Sequence, residues 1–369
     1  ESNEGNLMLN SGTHYSDNVR THVIGDNNIN QNNLSVNNST GFSAGDEVLL
    51  IWMQDTNRVN NNAGNYEFNF IQTINGNDIV LENTLSYNYN SSGKQQIIKV
   101  PNYDTVRIDN GAILTCHTWD GFTGGILSFK SKSQIINDGQ ITADYKGFRG
   151  VEHAQDTVYR NMDGAQGEGI YGQGFLGGSS FGINGSHNQN NGNGAGGGTG
   201  TGDAGSGGGG SYGSVGIDGQ NQGQHSGGQA GITVGDITLS KLILGGAGGE
   251  GGADEDGARP GKGGNGGGII YIVSKEIIGN GSITSNGEDG SEGQQNIPGI
   301  GGTGSGTGGG GAGSGGSIVL KGNNINLNSA TISAVGGSGG IGTHGQVGGS
   351  GGEGRIKVQS LNSNLASNP

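Results

Sequence analysis

The sequence predicts an essentially helix-free, all-β chain: parallel β-helix-like solenoid coils with glycine-rich insertions that form a polyglycine II helix bundle. Three observations predict it. Short apolar steps recur in a fixed order after residue 124, glycine recurs at every third position in long tracts, and no window longer than a few residues spaces apolar side chains helically. At 369 residues, 86 of them glycine, with 29% hydrophobic and 13% charged, the chain is long enough for a large core but too poor in side chains for an ordinary one.

Residues 1–123 read as a β-strand-rich N-terminal region. "GDEVLLIWMQ" (45–54) is a continuous apolar run, and "FNFIQTINGNDIVLE" (68–82) sets Asn75-Gly76 and Asn77-Asp78 between β-branched stretches, a hairpin signal. Pro101 interrupts "QQIIKVPNYDTVRIDNGAILTC" and, with no N–H to give a ladder, marks a bend or an edge. Trp52 and Trp119 fall in apolar runs and are expected in the core. Cys116, the single cysteine, reads as a buried small hydrophobe and excludes an internal disulfide.

Residues 124–360 read as coils with polyglycine II tracts, and 361–369 as a C-terminal tail or linker. "GILSFKSKSQIINDGQITA" from Gly125, "GIIYIVSKEIIGNGSITS" from Gly268 and "GSIVLKGNNINLNSATISA" from Gly316 each run from a glycine through a strand, a polar turn and a second apolar step to a closing isoleucine. The distance to that isoleucine is 16 residues at Ile141, 15 at Ile283 and 16 at Ile332. "GITVGDITLSKLIL" (231–244) and "GRIKVQS" (354–360) look like a divergent and a truncated copy. Such steps suit coils whose strands stack on their counterparts while isoleucines fill the interior. A β-sandwich of the same strands is the structural alternative.

The tracts follow a different rule. In "GGSGGIGTHGQVGGSGGEG" (336–354), Gly336, Gly339, Gly342, Gly345, Gly348, Gly351 and Gly354 recur every third residue, as do Gly207, Gly210, Gly213, Gly216 and Gly219. Three residues per turn is polyproline II geometry, whose backbone polar groups point outward and find no partner within their own helix. Several rods can bond side by side if glycine sits wherever backbones meet, because a Cβ would hold them apart. Collagen's version of this packing needs abundant proline, and the chain has four. The less regular "SHNQNNGNGAGGGTGTGDAG" (186–205) reads as the tract most open to disorder.

Seventeen basic against 31 acidic residues give a net charge of −14, which weighs against a nucleic-acid partner. No run approaches the ~20 apolar residues of a membrane span, which weighs against membrane insertion. No charged-then-apolar leader opens the chain at Glu1, which implies that such a signal has been removed or lies upstream. The acidic balance fits an extracellular protein, secreted or held at a bacterial surface.

Little catalytic chemistry emerges. Matches to G-x-G-x-x-G arise by chance at this glycine content, and "GARPGKGG" (257–264) lacks phosphate-loop spacing and a Ser or Thr after Lys262. The seven histidines show no zinc-ligand spacing. Asp254, Glu255 and Asp256 in "ADEDG" are calcium candidates or a solvated turn, and no other cofactor is expected. For ligand binding, Tyr171, Phe175 and Phe181 in "IYGQGFLGGSSFG" and Tyr212 in "GGSYGS" offer flat faces that stack on sugar rings, or else cap the bundle's edge. His225 and His344 stand within glycine tracts, either solvated or in contact with ligand.

The order from "GDEVLLIWMQ" through "TWDGFTGGILSFKSKSQIINDGQITADYKGFRG" to "GNGGGIIYIVSKEIIGNGSITSNG" resembles large glycine-rich bacterial surface proteins, predicted adhesins and gliding-motility-associated proteins among them. The resemblance covers about residues 42–360. The Ile-Thr-Ala and Ile-Ser-Ala closings look like coils of haemagglutinin-type β-helix adhesins, and the tracts are similar in kind to the polyglycine sandwich at the receptor-binding tip of some phage tail fibres. These likenesses imply location and architecture and carry over no catalytic residue. The expectation is a non-enzymatic extracellular adhesive or structural module that displays loops on a rigid polyglycine scaffold. Its implied partners are surface glycans or polysaccharide, and further domains or copies of the same surface protein. The alternatives are a polysaccharide-active β-helix enzyme, lyase or hydrolase, and an ice-binding protein.

Overall fold

The computed structural model describes residues 3–55, 58, 61–150, 162–175, 189–200, 204–253, 259–294, 306–327 and 329–365. Among them are seventeen strands and no helix, so the chain is all-β.

Leu7–Leu9 (β1) and Gly12–Tyr15 (β2) open the chain. An antiparallel sheet follows, built from Arg20–His22 (β3), Asn33–Ser35 (β4), Glu47–Asp55 (β5), Tyr66–Asn75 (β6), Asp78–Leu81 (β7) and Gly93–Lys99 (β8), in the order β3-β8-β5-β6-β7-β4. Its edges meet where Val23 bridges Val36, so the sheet curls onto itself. The expected hairpin is present: Asn75 pairs with Asp78 across Gly76, whose φ of 64° suits a residue without Cβ. All of β5 is buried. Its cluster joins residues of its own sheet, Leu34, Ile71 and Ile79, to Ile269, Tyr271 and Val319 from the next layer, so neither face meets water. Trp52, Trp119 and Cys116 are buried as expected, and burial pushes the Cys116 thiol pKa up.

At Pro101 the chain leaves this sheet and parallel pairing begins. Asn102–Ile108 (β9), Ala112–Thr115 (β10), Ile126–Asn137 (β11), Gln140–Thr142 (β12), Ile269–Ile278 (β13), Ser282–Thr284 (β14), Ser317–Leu327 (β15), Thr331–Ser333 (β16) and Arg355–Leu365 (β17) alternate long and short. Long strands form one parallel sheet, β1-β9-β11-β13-β15-β17, and short ones another, β2-β10-β12-β14-β16. The closing isoleucines are in register, Ile141 with Ile283 and Ile283 with Ile332. In β13 the sequence "IIYIV" is apolar throughout because both faces are covered. Ile270 and Ile272 pack between the sheets with Phe129 and Leu320, whereas Ile269 and Tyr271 pack against the antiparallel sheet. Each such side chain contributes about 1.5–3 kcal/mol on burial.

Several boundaries differ from the expectation. Strands β1, β2, β9 and β10 already belong to the parallel sheets, so stacking starts well before residue 124. β17 continues to Leu365, which pairs with Leu327, so residues 361–365 are strand. Among the described residues, antiparallel strand pairing is confined to β3–β8. Residues 231–244 contain no strand. Instead Leu242, Ile243 and Leu244 seat the segment on the antiparallel sheet, with the Leu242 N–H donating to the Gly64 carbonyl at 2.9 Å.

The glycine tracts lie in three insertions, 143–268, 285–316 and 334–354, each leaving after a short strand and returning at the next long one. Their hydrogen bonds repeat every three residues. Gly205, Gly208 and Ser211 donate to Thr199, Gly196 and Asn193; Ser206 and Gly209 donate to Gln220 and Ile217; Gly207 and Gly210 donate to Gly309 and Ala312, all at 2.8–3.0 Å. One tract thus bonds to three neighbours in rotation. Tract 308–316 does the same toward 246–252, 285–291 and 349–352.

No Cβ fits where these rods cross. One built on Gly311 would lie 1.8 Å from the Gly208 carbonyl oxygen, and one on Gly249 would lie 1.9 Å from that of Gly196. Some non-glycine positions substitute a side-chain oxygen for a carbonyl: the Gly246 N–H donates to Ser314 Oγ at 2.8 Å. The glycine period continues through chain reversals as well as rods, since Gly345, at φ 84°, sits in the turn of a hairpin closed by the Ile341–Val347 bridge. The described part of the irregular tract, 189–200 and 204–205, is built into the bundle through Ala195, Gly196 and Gly198.

Candidate functional site

One end of the rods meets the antiparallel sheet. Glu168, fully buried, accepts hydrogen bonds from the Arg149 backbone N–H and Nε at 3.0 and 2.9 Å, from Arg149 Nη2 at 3.2 Å and from Gln54 Nε2 at 3.0 Å. That carboxylate raises the guanidinium pKa further. Gln54 Nε2 also donates to the Gly169 carbonyl, and the Asp55 N–H to that of Ile170 at 2.7 Å. The end of β5 therefore clamps the tract at residues 168–170.

Two tight reversals follow from that clamp. Gly169 and Gly172 exchange backbone hydrogen bonds at 3.0 Å, and Asn191 and Gly194 do so at 2.8 and 3.2 Å. The second contains Gly192 at φ 68°, where a Cβ would press on Ile170 and the Tyr171 ring at 2.8 and 2.9 Å. The missing side chain lets the Tyr171 ring lie against the neighbouring turn.

These turns border a cleft of about 380 Å³ lined by Arg58, Gln166, Tyr171, Gln173, Phe175 and Asn191. The Arg58 guanidinium stands 5.6 Å from the Tyr171 ring centroid and donates to the Asn190 carbonyl at 2.8 Å. Gln166 Oε1 accepts from the Phe175 N–H at 3.0 Å, and Asn191 Nδ2 donates to the Gly172 carbonyl at 2.7 Å. Phe175 is 58% exposed, Tyr171 half-buried. One cation, two rings and three amides make a lining that can bind a neutral, hydroxylated ligand through ring faces and amide hydrogen bonds.

Of the ligand candidates in the sequence, the structure brings Tyr171 and Phe175 together. Tyr212, expected in an exposed loop, is fully buried: its hydroxyl is 2.8 Å from Ser317 Oγ, the Arg355 guanidinium lies 4.7 Å from its ring, and burial raises its pKa. A ligand cannot reach that ring. His225 and His344 sit elsewhere, in hairpins 222–225 and 341–347, whose neighbouring tracts share the Gln220–Val347 hydrogen bond. His344 is exposed, and its N–H donates to Gln346 Oε1 at 3.2 Å. The Thr199 carbonyl near that end accepts from Gly205, while Asn193 at the other end of the same tract lies by the cleft. Phe181, Asp254, Glu255 and Asp256 lie outside the described residues, and among the described residues no group of three His, Cys, Asp or Glu could hold a metal.

Arg58, Gln166 and Asn191 were not anticipated. Asn191-Gly192 is a turn dipeptide and could have placed a reversal beside Tyr171. Nothing local marks Arg58.

No family model and no curated protein matches the chain. Solved structures with a slight likeness to the chain include two phage tailspikes. A tailspike protein from Pseudomonas phage LKA1 is 13% identical, with a TM-score of 0.20, over 33% of this chain and 25% of its own. A tailspike of the Acinetobacter baumannii bacteriophage AP22, solved with A. baumannii capsular saccharide, is 12% identical, with a TM-score of 0.21, over 98% of this chain and 58% of its own. The chain thus spans less than two thirds of either tailspike, and at these scores neither defines its fold.

Proposed function

We propose that this chain is a non-enzymatic, extracellular binding module in which a β-helical stack and a bundle of polyglycine II rods hold a glycan-binding cleft. The observation that carries this reading is the period-three bonding of tract 205–211, where consecutive N–H groups address three different neighbours. Rods with three residues per turn, packed side by side, bond in that way. A rod tied on every side resists local opening, so a cleft at its end keeps its shape.

The cleft's chemistry favours sugar. The Phe175 and Tyr171 rings offer apolar faces to pyranose C–H groups, while the Arg58 guanidinium and the amides of Gln166, Gln173 and Asn191 match hydroxyls. These groups orient a ligand and are poor at moving protons, unlike the paired carboxyls of glycoside cleavage.

A glycan array probed with the intact chain tests the reading. Retention of a glycan is expected, with loss in Tyr171→Ala and Phe175→Ala while their thermal unfolding matches that of the parent. Retention untouched by both variants would remove the cleft from the proposal. Release of reducing or unsaturated sugar from a bound polysaccharide would overturn its non-enzymatic part.

A further inference from the structure

We propose that a groove on the flank of the parallel stack is a second binding site, for an acidic polysaccharide. The groove, about 630 Å³, runs across β9, β11, β13, β15 and β17 beside the register shift between Ser131 and Gln134 of β11. Its lining includes Lys130, Lys132, Lys275 and Lys321, with the Asn102, Asn323 and Gln359 amides between them, and contains no carboxylate. Four of the 17 basic residues of a chain with net charge −14 therefore converge on one concave surface.

Register produces the convergence. Lys130 pairs with Val273, Val273 with Lys321 and Lys321 with Gln359, so Lys130 and Lys321 stand two strands apart, about 9–10 Å at ordinary strand spacing. Lys132 and Lys275 follow two residues after Lys130 and Val273. Two buried hydroxyls turn inward beside that shift: Ser131 Oγ donates to the Asp104 carbonyl at 3.1 Å and Ser274 Oγ to that of Ser133 at 3.3 Å. Lysines and amides are thus the donors facing out.

The four ammonium groups are unequally engaged. Lys130 is paired with Glu47 and lies 4.9 Å from the Phe68 ring centroid, and Lys132 is 3.7 Å from Asp104. Lys321 is held 4.9 Å from the Tyr271 ring, which orients the cation without neutralising it. Lys275 is exposed and has no hydrogen-bond or ion-pair partner among the described residues. Lys275 and Lys321 therefore carry most of the site's free charge.

A line of separated cations suits a polymer with separated anions. The chain's net charge opposes a densely charged strand such as nucleic acid. A glycan carrying uronate carboxylates spreads its charge and also presents C–H faces, for which half-buried Val273 and 82%-exposed Leu361 provide apolar contact. The site is separate from the Tyr171 cleft and does not depend on it.

Titration of the intact chain with polygalacturonate, its methyl ester and polyglutamate tests the assignment. The expected result is binding of polygalacturonate that falls as salt rises, little binding of the ester, and a loss of about tenfold or more in the double variant Lys275→Gln/Lys321→Gln. Tyr171→Ala should retain this binding, so failure of the cleft and failure of the groove are separable. No binding of polygalacturonate, equal binding of the ester, or indifference to the double variant would overturn the proposal. Polyglutamate bound as tightly as polygalacturonate would replace a glycan with an acidic peptide.

Discussion

The parallel stack and the glycine bundle solve one problem, lateral association of extended chain, by opposite means. Between the sheets of the stack, Ile141, Ile283 and Leu320 are fully buried and fill the space with side chains. In the bundle a side chain is what must be missing: the site of a Cβ on Gly311 is already taken by the Gly208 carbonyl. The stack gains by removing apolar surface from water. The bundle relies on many backbone hydrogen bonds, each with a net value of only about 0.5–1.5 kcal/mol. Glycine also loses more conformational entropy on ordering than any other residue, so such rods need help. Strands of the stack flank every insertion, which shortens the loops that must close. Order here follows from backbone pairing and tethering, not from hydrophobic content.

The largest expected effect comes from adding a side chain where backbones meet. Gly311→Val should prevent assembly of the bundle, lowering the unfolding temperature sharply and exposing amides in 205–211, 245–252 and 308–316 to rapid hydrogen exchange. Overpacking a core usually costs about 1–3 kcal/mol because neighbours shift. At Gly311 the obstacle is the backbone of another rod, itself bonded to further rods, so a larger loss is expected. Gly345→Ala is the control: its φ of 84° makes alanine strained by about 1–2 kcal/mol, but the space is open. Equal losses in the two variants would mean that backbone contact does not govern the bundle.

Removing a side chain from the stack should cost less. Ile283→Ala empties a fully buried position paired on both sides with Ile141 and Ile332, for an expected loss of about 2–5 kcal/mol in chemical denaturation. Exchange of tract amides should change less than exchange in β12, β14 and β16. Tract amides that open first in this variant would show that the bundle borrows its order from the stack.

How far this division could be read from sequence depends on which interaction sets it. The isoleucine spacing of 16, 15 and 16 residues identified Ile141, Ile283 and Ile332 as stacked neighbours because side-chain burial imposes a length on each repeat. The glycine period indicated lateral backbone packing because no Cβ fits where two backbones meet. It could not locate the reversals, since a turn at Gly345 and a crossing at Gly348 both require glycine, one for φ and the other for space. Tyr212 misled because its flanking glycines suggest a loop, whereas they let the backbone reverse while the ring enters a core shared by Ser317 and Ile243. Arg58 reaches the cleft through a pairing more than a hundred residues long, the Arg58–Asn190 bond, which no local pattern encodes. The lysine groove was more legible. Five and seven residues after each opening glycine stand Lys130 and Lys132, then Val273 and Lys275, then Lys321 and Asn323, an outward row visible once the repeats are aligned.

The smallest predicted effect concerns the seam that joins the stack to the antiparallel sheet. Tyr66 lies 6.0 Å from Tyr271 and Phe68 lies 4.9 Å from it, measured between ring centroids. Burial, with the Tyr271 hydroxyl nearby, pushes the Tyr66 pKa up to about 12, and burial raises that of Tyr271 as well. The unfolded chain ionises tyrosine near pH ~10. A folded-state pKa above the unfolded value means that the fold favours the protonated phenol, so this contribution is complete below about pH 10 and is lost as pH rises toward about 12. Tyr66→Phe removes one of the titrating groups, and its unfolding temperature should fall less steeply than the parent's across that window. Exchange should rise first in β6 and β13, ahead of the glycine rods, whose bonds do not titrate. Parallel losses in parent and variant, or earlier opening of the rods, would show that alkaline unfolding starts somewhere other than this seam.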